Sequence, residues 1–413
     1  MGSRRSAFVA SGIILTIVAA IIVTCWLRYR PPAPIVAIIP ETTAQELWES
    51  EHAGVAATIA GTPWDTYWNG PSSEDQVAQQ IALVQHSESI HAAGLILAPD
   101  DCLALTTPVR HVLDKGIPTV IVSTGLPIDP RRNLGFVLND DKAAGEVAAT
   151  YVARLLKGHG TVALLGDNSN VLSSTARAES FARTLKSRFP GIQLVAQPQG
   201  SFRLGETEQQ TETVLRANPK LSAIVSIGIT QTRGTMFALR SFGRQNDVAL
   251  IAFDQDLDLM YSLRHGDIDA VVVQDTFSMG KQAMQIVERF QHDSAAPSLI
   301  RVAPVLVTRD NIDNPGIQQV LSMIGDLVNR DKTEVGVLIR GLPSLDHGFG
   351  PLRRILALAS LSRSRPALSK RISAAGCDGM DRLRRRMECA KRHHAQLLRR
   401  TRRQAGHGIC ILA

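Results

Sequence analysis

The sequence predicts an α/β protein with two parallel sheets, each covered by helices on both faces. Three observations lead there. From Ile35 onward, short apolar runs of strand type alternate with stretches of helical periodicity across short connections. The alternation continues for roughly 300 residues, a length that suits two sheets better than one. Asp254 and Gln274 each directly follow an apolar run. That is the position from which side chains of a parallel sheet reach a ligand crevice.

The strand-type runs fall at 35–39, 94–98, 119–122, 161–165, 193–196, 223–226, 248–253 and 268–273. Between the first two, Leu47, Trp48, Val55 and Ile59 keep one helical face. Val77, Ile81 and Val84 keep another, with Ser73 and Gln76 spaced as a capping box at its start. Gly116-Ile117-Pro118 ends a helix and leads into the next strand. After Asp140 and Asp141, helical spacing returns at Val147, Ala148, Val152 and Leu155. A short helix is expected between Asp254 and His265. A carboxylate beside an amide, as in Asp254 and Gln274, can accept and donate hydrogen bonds to neighbouring hydroxyls, which is what a sugar presents. The competing reading is that Asp254 only caps the helix after it.

The two ends of the chain differ from its body. Arg4 and Arg5 precede a mostly apolar run at 7–27, closed by Arg28 and Arg30. The run is long enough to span a bilayer as a helix. A cleaved signal would need small residues at the end of the run, whereas Ala19 and Ala20 lie inside it. A lipoprotein signal would use Cys25, with Thr24 where a smaller residue is usual. An uncleaved anchor with the body exported is favoured, so residues 1–34 are expected to form a membrane anchor or signal and a spacer stiffened by Pro31, Pro32 and Pro34. The net charge of +7 is unevenly placed: residues 341–413 carry 16 Lys and Arg against 4 Asp and Glu, and residues 1–340 carry 29 against 34. The body is therefore mildly acidic and lacks the footprint of a nucleic-acid binder. The basic tail at 341–413 fits either an anion-binding segment or a stretch with no shared history with the body, such as out-of-frame translation.

Chemistry is hard to find in the body. Of five cysteines only Cys102 lies between the apolar N-terminal run and the tail, and no Cys or His cluster has metal-ligand spacing. No Gly-x-Gly-x-x-Gly, Walker or Gly-x-Ser-x-Gly pattern follows a strand; Gly158-His159-Gly160 precedes one and reads as a turn. His52, His86, His91 and His111 are scattered through helical stretches. No cofactor, no metal and no catalytic activity are expected.

The segments Gly94-Leu95-Ile96-Leu97-Ala98-Pro99, Gly116-Ile117-Pro118-Thr119-Val120, Ala252-Phe253-Asp254 and Val271-Val272-Val273-Gln274, in this order and spacing, resemble the type I periplasmic sugar-binding proteins. Tyr67-Trp68-Asn69-Gly70-Pro71 and Val307-Thr308-Arg309-Asp310-Asn311 add to the likeness, which covers about residues 35 to 325. The resemblance implies two Rossmann-like lobes joined by a three-strand hinge, with crossings near Asn139, Gln274 and Val305. The first lobe would comprise 35–138 with 275–304, and the second 139–274 with 305–330.

The resemblance also implies a ligand-binding set. Trp48, or less well Trp68, would stack on a sugar ring. Arg177 would hold ring or hydroxyl oxygens with its fork. Asp254 and Gln274 match the family's aspartate and hinge glutamine; Asp140 would face the cleft or cap a helix, and Phe202 is a weaker aromatic match. Ser123 and Thr124 stand where relatives often have Asp, and Gly228 where many have Asn. The implied function is non-catalytic binding of a small molecule, a sugar, for delivery to an ABC transporter permease at the periplasmic side of the inner membrane. The N-terminal segment would supply the membrane contact, and no nucleic acid is expected for the body. The alternative is a sensing module that signals to a membrane receptor. A regulator of the lac-repressor type is disfavoured, because an apolar span and not a helix-turn-helix precedes the body.

Overall fold

The computed structural model describes residues 32–292 and 299–321. The expected apolar anchor and the basic tail at 341–413 lie outside the described residues. No helix among the described residues is long and apolar enough to cross a membrane.

The chain runs β1 (Ile35–Ile39), α1 (Glu46–Ile59), β2 (Asp65–Trp68), α2 (Val77–Ser89), β3 (Gly94–Leu97), α3 (Thr106–Asp114), β4 (Thr119–Ser123) and β5 (Leu134–Asn139). It continues α4 (Asp141–Leu155), β6 (Gly160–Leu165), α5 (Leu172–Arg188), β7 (Ile192–Ala196), α6 (Leu204–Ala217), β8 (Ala223–Ser226), α7 (Ile229–Ser241) and β9 (Ala249–Phe253). It closes with α8 (Leu257–His265), β10 (Ala270–Val273), α9 (Thr276–Gln291), β11 (Leu299–Val302) and β12 (Val305–Thr308).

Two six-stranded sheets form, in the orders β11-β5-β4-β3-β1-β2 and β12-β10-β9-β8-β6-β7. All pairings are parallel except the last, β10 with β12. Successive side chains of a strand point to opposite faces, and here both faces are covered. In β9, Leu250 and Ala252 join the core beneath α7 and α8. Ile251 and Phe253 join the core beneath α4 and α5. The chain passes between sheets three times, after Asn139, after Val273 and between Val302 and Val305.

Four strands lie outside the runs read as strands from the sequence: β2, β5, β11 and β12. Three of them are edges. β2 and β11 are only partly buried, and β11 alternates exposed Leu299 and Arg301 with half-buried neighbours. Such a pattern carries a weak apolar signal. The capping box is also corrected: α2 starts at Val77 with Gln76 at its N-cap and no side-chain cap, while the Ser73 hydroxyl donates to Asp75.

α1 packs against α9 on the first sheet, and the approach is close because glycines face backbone. A Cβ on Gly54 would lie 2.1 Å from the Phe277 carbonyl oxygen, and one on Gly280 2.0 Å from that of Glu51. Glu51 itself is 1 % exposed, with no partner for Oε2. Burial pushes its carboxyl from 4.5 up to about 8. The folded chain therefore keeps this proton to about pH 8, while the unfolded chain loses it near 4.5, so stability falls as pH rises through that window. Glu51→Gln is expected to remove the slope and to add roughly 2–3 kcal/mol at pH 7. Urea midpoints at pH 5 and pH 7.5 check this, and an equal shift at both would rule the explanation out.

Candidate functional site

The carboxyl ends of both sheets meet at one crevice, where a cavity of about 50 Å³ lies between the lobes. Strand ends and the loops after them supply its walls. The loop after β1 and the first turn of α1 contribute Glu41, Gln45 and Trp48, and the loop before α2 contributes Glu74. Ser123 comes from the end of β4, Asn168 from the loop after β6, and Ser173, Ser174 and Arg177 from the start of α5. Phe202 precedes α6, Gly228 and Gln231 lie at the start of α7, and Asp254 and Gln274 follow β9 and β10.

Arg177 holds the centre. Its side chain is 5 % exposed. Nε donates to Asp141 Oδ1 at 2.8 Å, and Nη1 donates to Asp254 Oδ2 at 2.9 Å and Oδ1 at 3.2 Å. Burial opposes a charge on Arg177, but Asp254 and Asp141 outweigh it and raise the guanidinium's pKa. Burial likewise lifts the Asp141 carboxyl to about 6, a rise that Arg177 limits.

From Asp254 the network runs into the hinge. Gln274 Nε2 donates to Asp254 Oδ1, and Gln274 Oε1 accepts from the Ser123 hydroxyl at 3.4 Å. Asn139 Nδ2 then donates to Ser123 Oγ at 3.1 Å. Gln274 is fixed through its backbone as well, exchanging two hydrogen bonds with the Gln255 side chain at 2.9 and 2.6 Å. Both residues that turn out of the strands toward the cavity do so with left-handed backbone, Ser123 at φ 62° and Asp254 at φ 67°. A non-glycine residue in that region is uncommon and marks a backbone held by its surroundings. The capping reading of Asp254 is thereby overturned: Asp256 is the N-cap of α8.

Six of the eight residues expected at the site line this cavity: Trp48, Ser123, Arg177, Phe202, Asp254 and Gln274. Trp48 is also a core residue, 2 % exposed, with no partner for its indole Nε1. The other two lie elsewhere. Trp68 ends the edge strand β2 and stacks flat on His52 with ring centroids 4.7 Å apart. Asp140 caps α4, accepting from the Ala143 amide at 3.0 Å, and borders a separate space of about 10 Å³. Glu41, Gln45, Glu74, Asn168 and Gln231 were not anticipated. A signal for Glu41 was present, since it follows an apolar strand by two residues, much as Asp254 follows β9 directly.

Contacts across the rim hold the crevice shut. The Ser173 amide donates to Thr124 Oγ1 at 3.0 Å and the Cys102 amide to the Asn170 carbonyl at 2.8 Å. Thr230 Oγ1 donates to Glu74 Oε2 at 2.9 Å, and Arg203 Nε to Asp75 Oδ2 at 3.1 Å. The last pair is solvent-exposed and contributes little, whereas the Thr124 bond is buried.

Comparison with known proteins agrees with this geometry. The family model for the periplasmic binding protein domain matches residues 36–291. A D-ribose/D-allose-binding protein of Pseudomonas aeruginosa is 24% identical over 262 residues, 62% of this chain and 80% of that one. The structure of an ABC transporter solute-binding protein from Agrobacterium vitis with bound D-fucose superposes with a TM-score of 0.64 at 26% identity, covering 69% of this chain and 98% of that one. A carbohydrate transporter solute-binding protein from Agrobacterium radiobacter in complex with D-arabinose gives a TM-score of 0.66 at 21% identity, covering 70% and 99%.

Proposed function

The chain belongs to the periplasmic binding protein domain family, and from that premise we propose that it binds a sugar-like solute between its lobes and presents it to the permease of an ABC transporter. The observation that carries this reading is the series Asp141, Arg177, Asp254, Gln274, Ser123, Asn139, which runs unbroken from a helix pair of one lobe through the hinge to the other sheet. The nature of the relatives, one binding D-ribose and D-allose and others holding D-fucose and D-arabinose, supports a monosaccharide-sized ligand.

In this reading the indole of Trp48 meets an apolar sugar face, and Phe202 closes the opposite side. Asp254 and Gln274 bond hydroxyls, oriented in advance by Arg177 and Ser123, so that little ordering is left to pay on binding. No bond is made or broken; the work done is closure. Ligand entry requires the rim contacts to part, and their re-forming gives the permease a shape that differs between loaded and empty protein. The periplasmic-binding relatives support an extracytoplasmic site of action.

Titrating the purified chain with pentoses, hexoses and polyols, followed by calorimetry, tests the reading. A saturable response lost in Trp48→Ala and in Asp254→Ala is expected, and silence toward every solute would refute it. Thr124→Val removes the acceptor for the Ser173 amide. It should weaken binding roughly five- to tenfold by favouring the open form, with a larger radius of gyration in small-angle scattering of the empty chain. Unchanged affinity would mean that this rim bond does not govern closure.

A further inference from the structure

The charges around the cavity do not balance. Three carboxyl groups line it, from Glu41, Glu74 and Asp254, against one cation, Arg177. That cation is already committed, since Asp141 and Asp254 both bind it. Two further arginines are occupied as well: Arg233 pairs with Asp256 and Asp258, and Arg203 with Asp75 and Glu206. Glu74 has hydroxyl and amide neighbours, Thr230 and Gln45, but no ion pair among the described residues. Glu41 has neither hydrogen bond nor ion pair among the described residues. A neutral sugar would leave these half-buried carboxyl groups to ionise without an ion-pair partner or to stay protonated, and an unpaired charge removed from water is costly.

A second observation concerns Trp48. Trp48 lines the same cavity, 2 % exposed, and its indole Nε1 has no partner. An indole in the wall of a cavity that also holds these carboxyl groups favours a cation, since the ring quadrupole attracts positive charge.

We infer that the solute of this cleft carries a protonated amino group beside its hydroxyls, as an amino sugar does, with Glu41 receiving the ammonium and Glu74 standing as its second acidic neighbour. The inference rests on the solute-binding reading above and narrows it. The groups facing Glu41 are Glu74 from the loop before α2, Asp254 after β9, Arg177 on α5 and Glu51 on α1. Asp100, which follows β3, is buried without a partner for either carboxyl oxygen and lies close enough to feel Glu41 and Glu74. Burial first, then Glu74 and Asp254, hold the Glu41 carboxyl well above its ordinary range. The empty cleft accordingly keeps a proton on Glu41, and an incoming ammonium displaces it. Affinity for the amine then rises with pH until the amine itself loses its proton.

The test uses the full chain in calorimetric titrations with hexoses bearing an amino group at C2, C3 or C6, each beside its neutral parent, at pH 5.5 and pH 7. At least one amine is expected to bind ten times more tightly than its parent, with the advantage larger at pH 7. Titration in two buffers of different ionisation enthalpy should show proton release on binding, a readout that needs no variant. In Glu41→Gln the amine should lose its advantage. Neutral parents binding as tightly as the amines, without proton release, would overturn the inference and leave the sugar-binding reading standing. If neither amines nor parents bind, the sugar-binding reading falls and the inference with it.

Discussion

Arg177→Leu should destabilise the protein by about 3–5 kcal/mol and abolish ligand binding, because it strands two buried carboxylates at once. Asp141 and Asp254 lie on either side of the guanidinium, and their side chains are 11 % and 13 % exposed. With the cation gone they must either ionise unpaired or take up protons. The loss is therefore expected to be smaller at pH 5 than at pH 7.5, since protonation relieves the repulsion. Arg177→Lys keeps the charge but not the fork. One ammonium cannot reproduce an Nε bond to Asp141 together with the Nη1 bonds to Asp254, so an intermediate loss is expected. Urea denaturation of the three proteins at both pH values decides the matter. A Leu variant within 1 kcal/mol of the parent would show that the network is peripheral to stability.

Gly280→Ala is expected to be comparably severe, for a reason unrelated to charge. The added methyl group would sit 2.0 Å from the Glu51 carbonyl oxygen, and backbone on a packed helix cannot move aside cheaply. Gly54→Ala meets the Phe277 carbonyl in the same way. Either change should separate α1 from α9 and cost about 3 kcal/mol or more, read as a lower midpoint in thermal or urea unfolding. Gly205, in the first turn of α6 with nothing within 4 Å of a built Cβ, is the control. There Ala should stabilise by about 0.5 kcal/mol through helix propensity alone. If all three glycines respond alike, close approach is not what separates them.

Much of the architecture was legible because most buried parallel strands write apolar runs; eight of the twelve described strands were found, the edge strand β7 with Gln193 among them, while the buried β5, broken by Gly135, was not. β2 escaped because Asp65 opens it and Asn69-Gly70-Pro71 follows, so that it reads as turn. β11 escaped because Arg301 interrupts it and its side chains alternate toward water, and β12 because its apolar stretch, Val305 to Val307, is only three residues long. At the site, Asp254 and Gln274 could be found because they end strongly apolar strands. Arg177 was harder to place, since nothing in Leu172–Arg188 separates a helix arginine buried between two acids from one in water. Trp68 and Asp140 were drawn to local partners, His52 and the Ala143 amide. Glu74 comes from a polar loop without periodicity, and only the folded chain brings it opposite Thr230.

The threefold passage between the sheets has a consequence for how the molecule is made. Each sheet gains an outermost strand from the final described stretch: β11 beside β5, and β12 beside β10. A ribosome has thus delivered nearly all of both lobes before either has its last neighbour. Until then β5 and β10 each present an unpaired flank, the kind of surface that recruits stray strands. A chain cut after His292 would not lose one lobe and keep the other. It would leave both with an open seam, which binds the assembly of the two halves to a single late event.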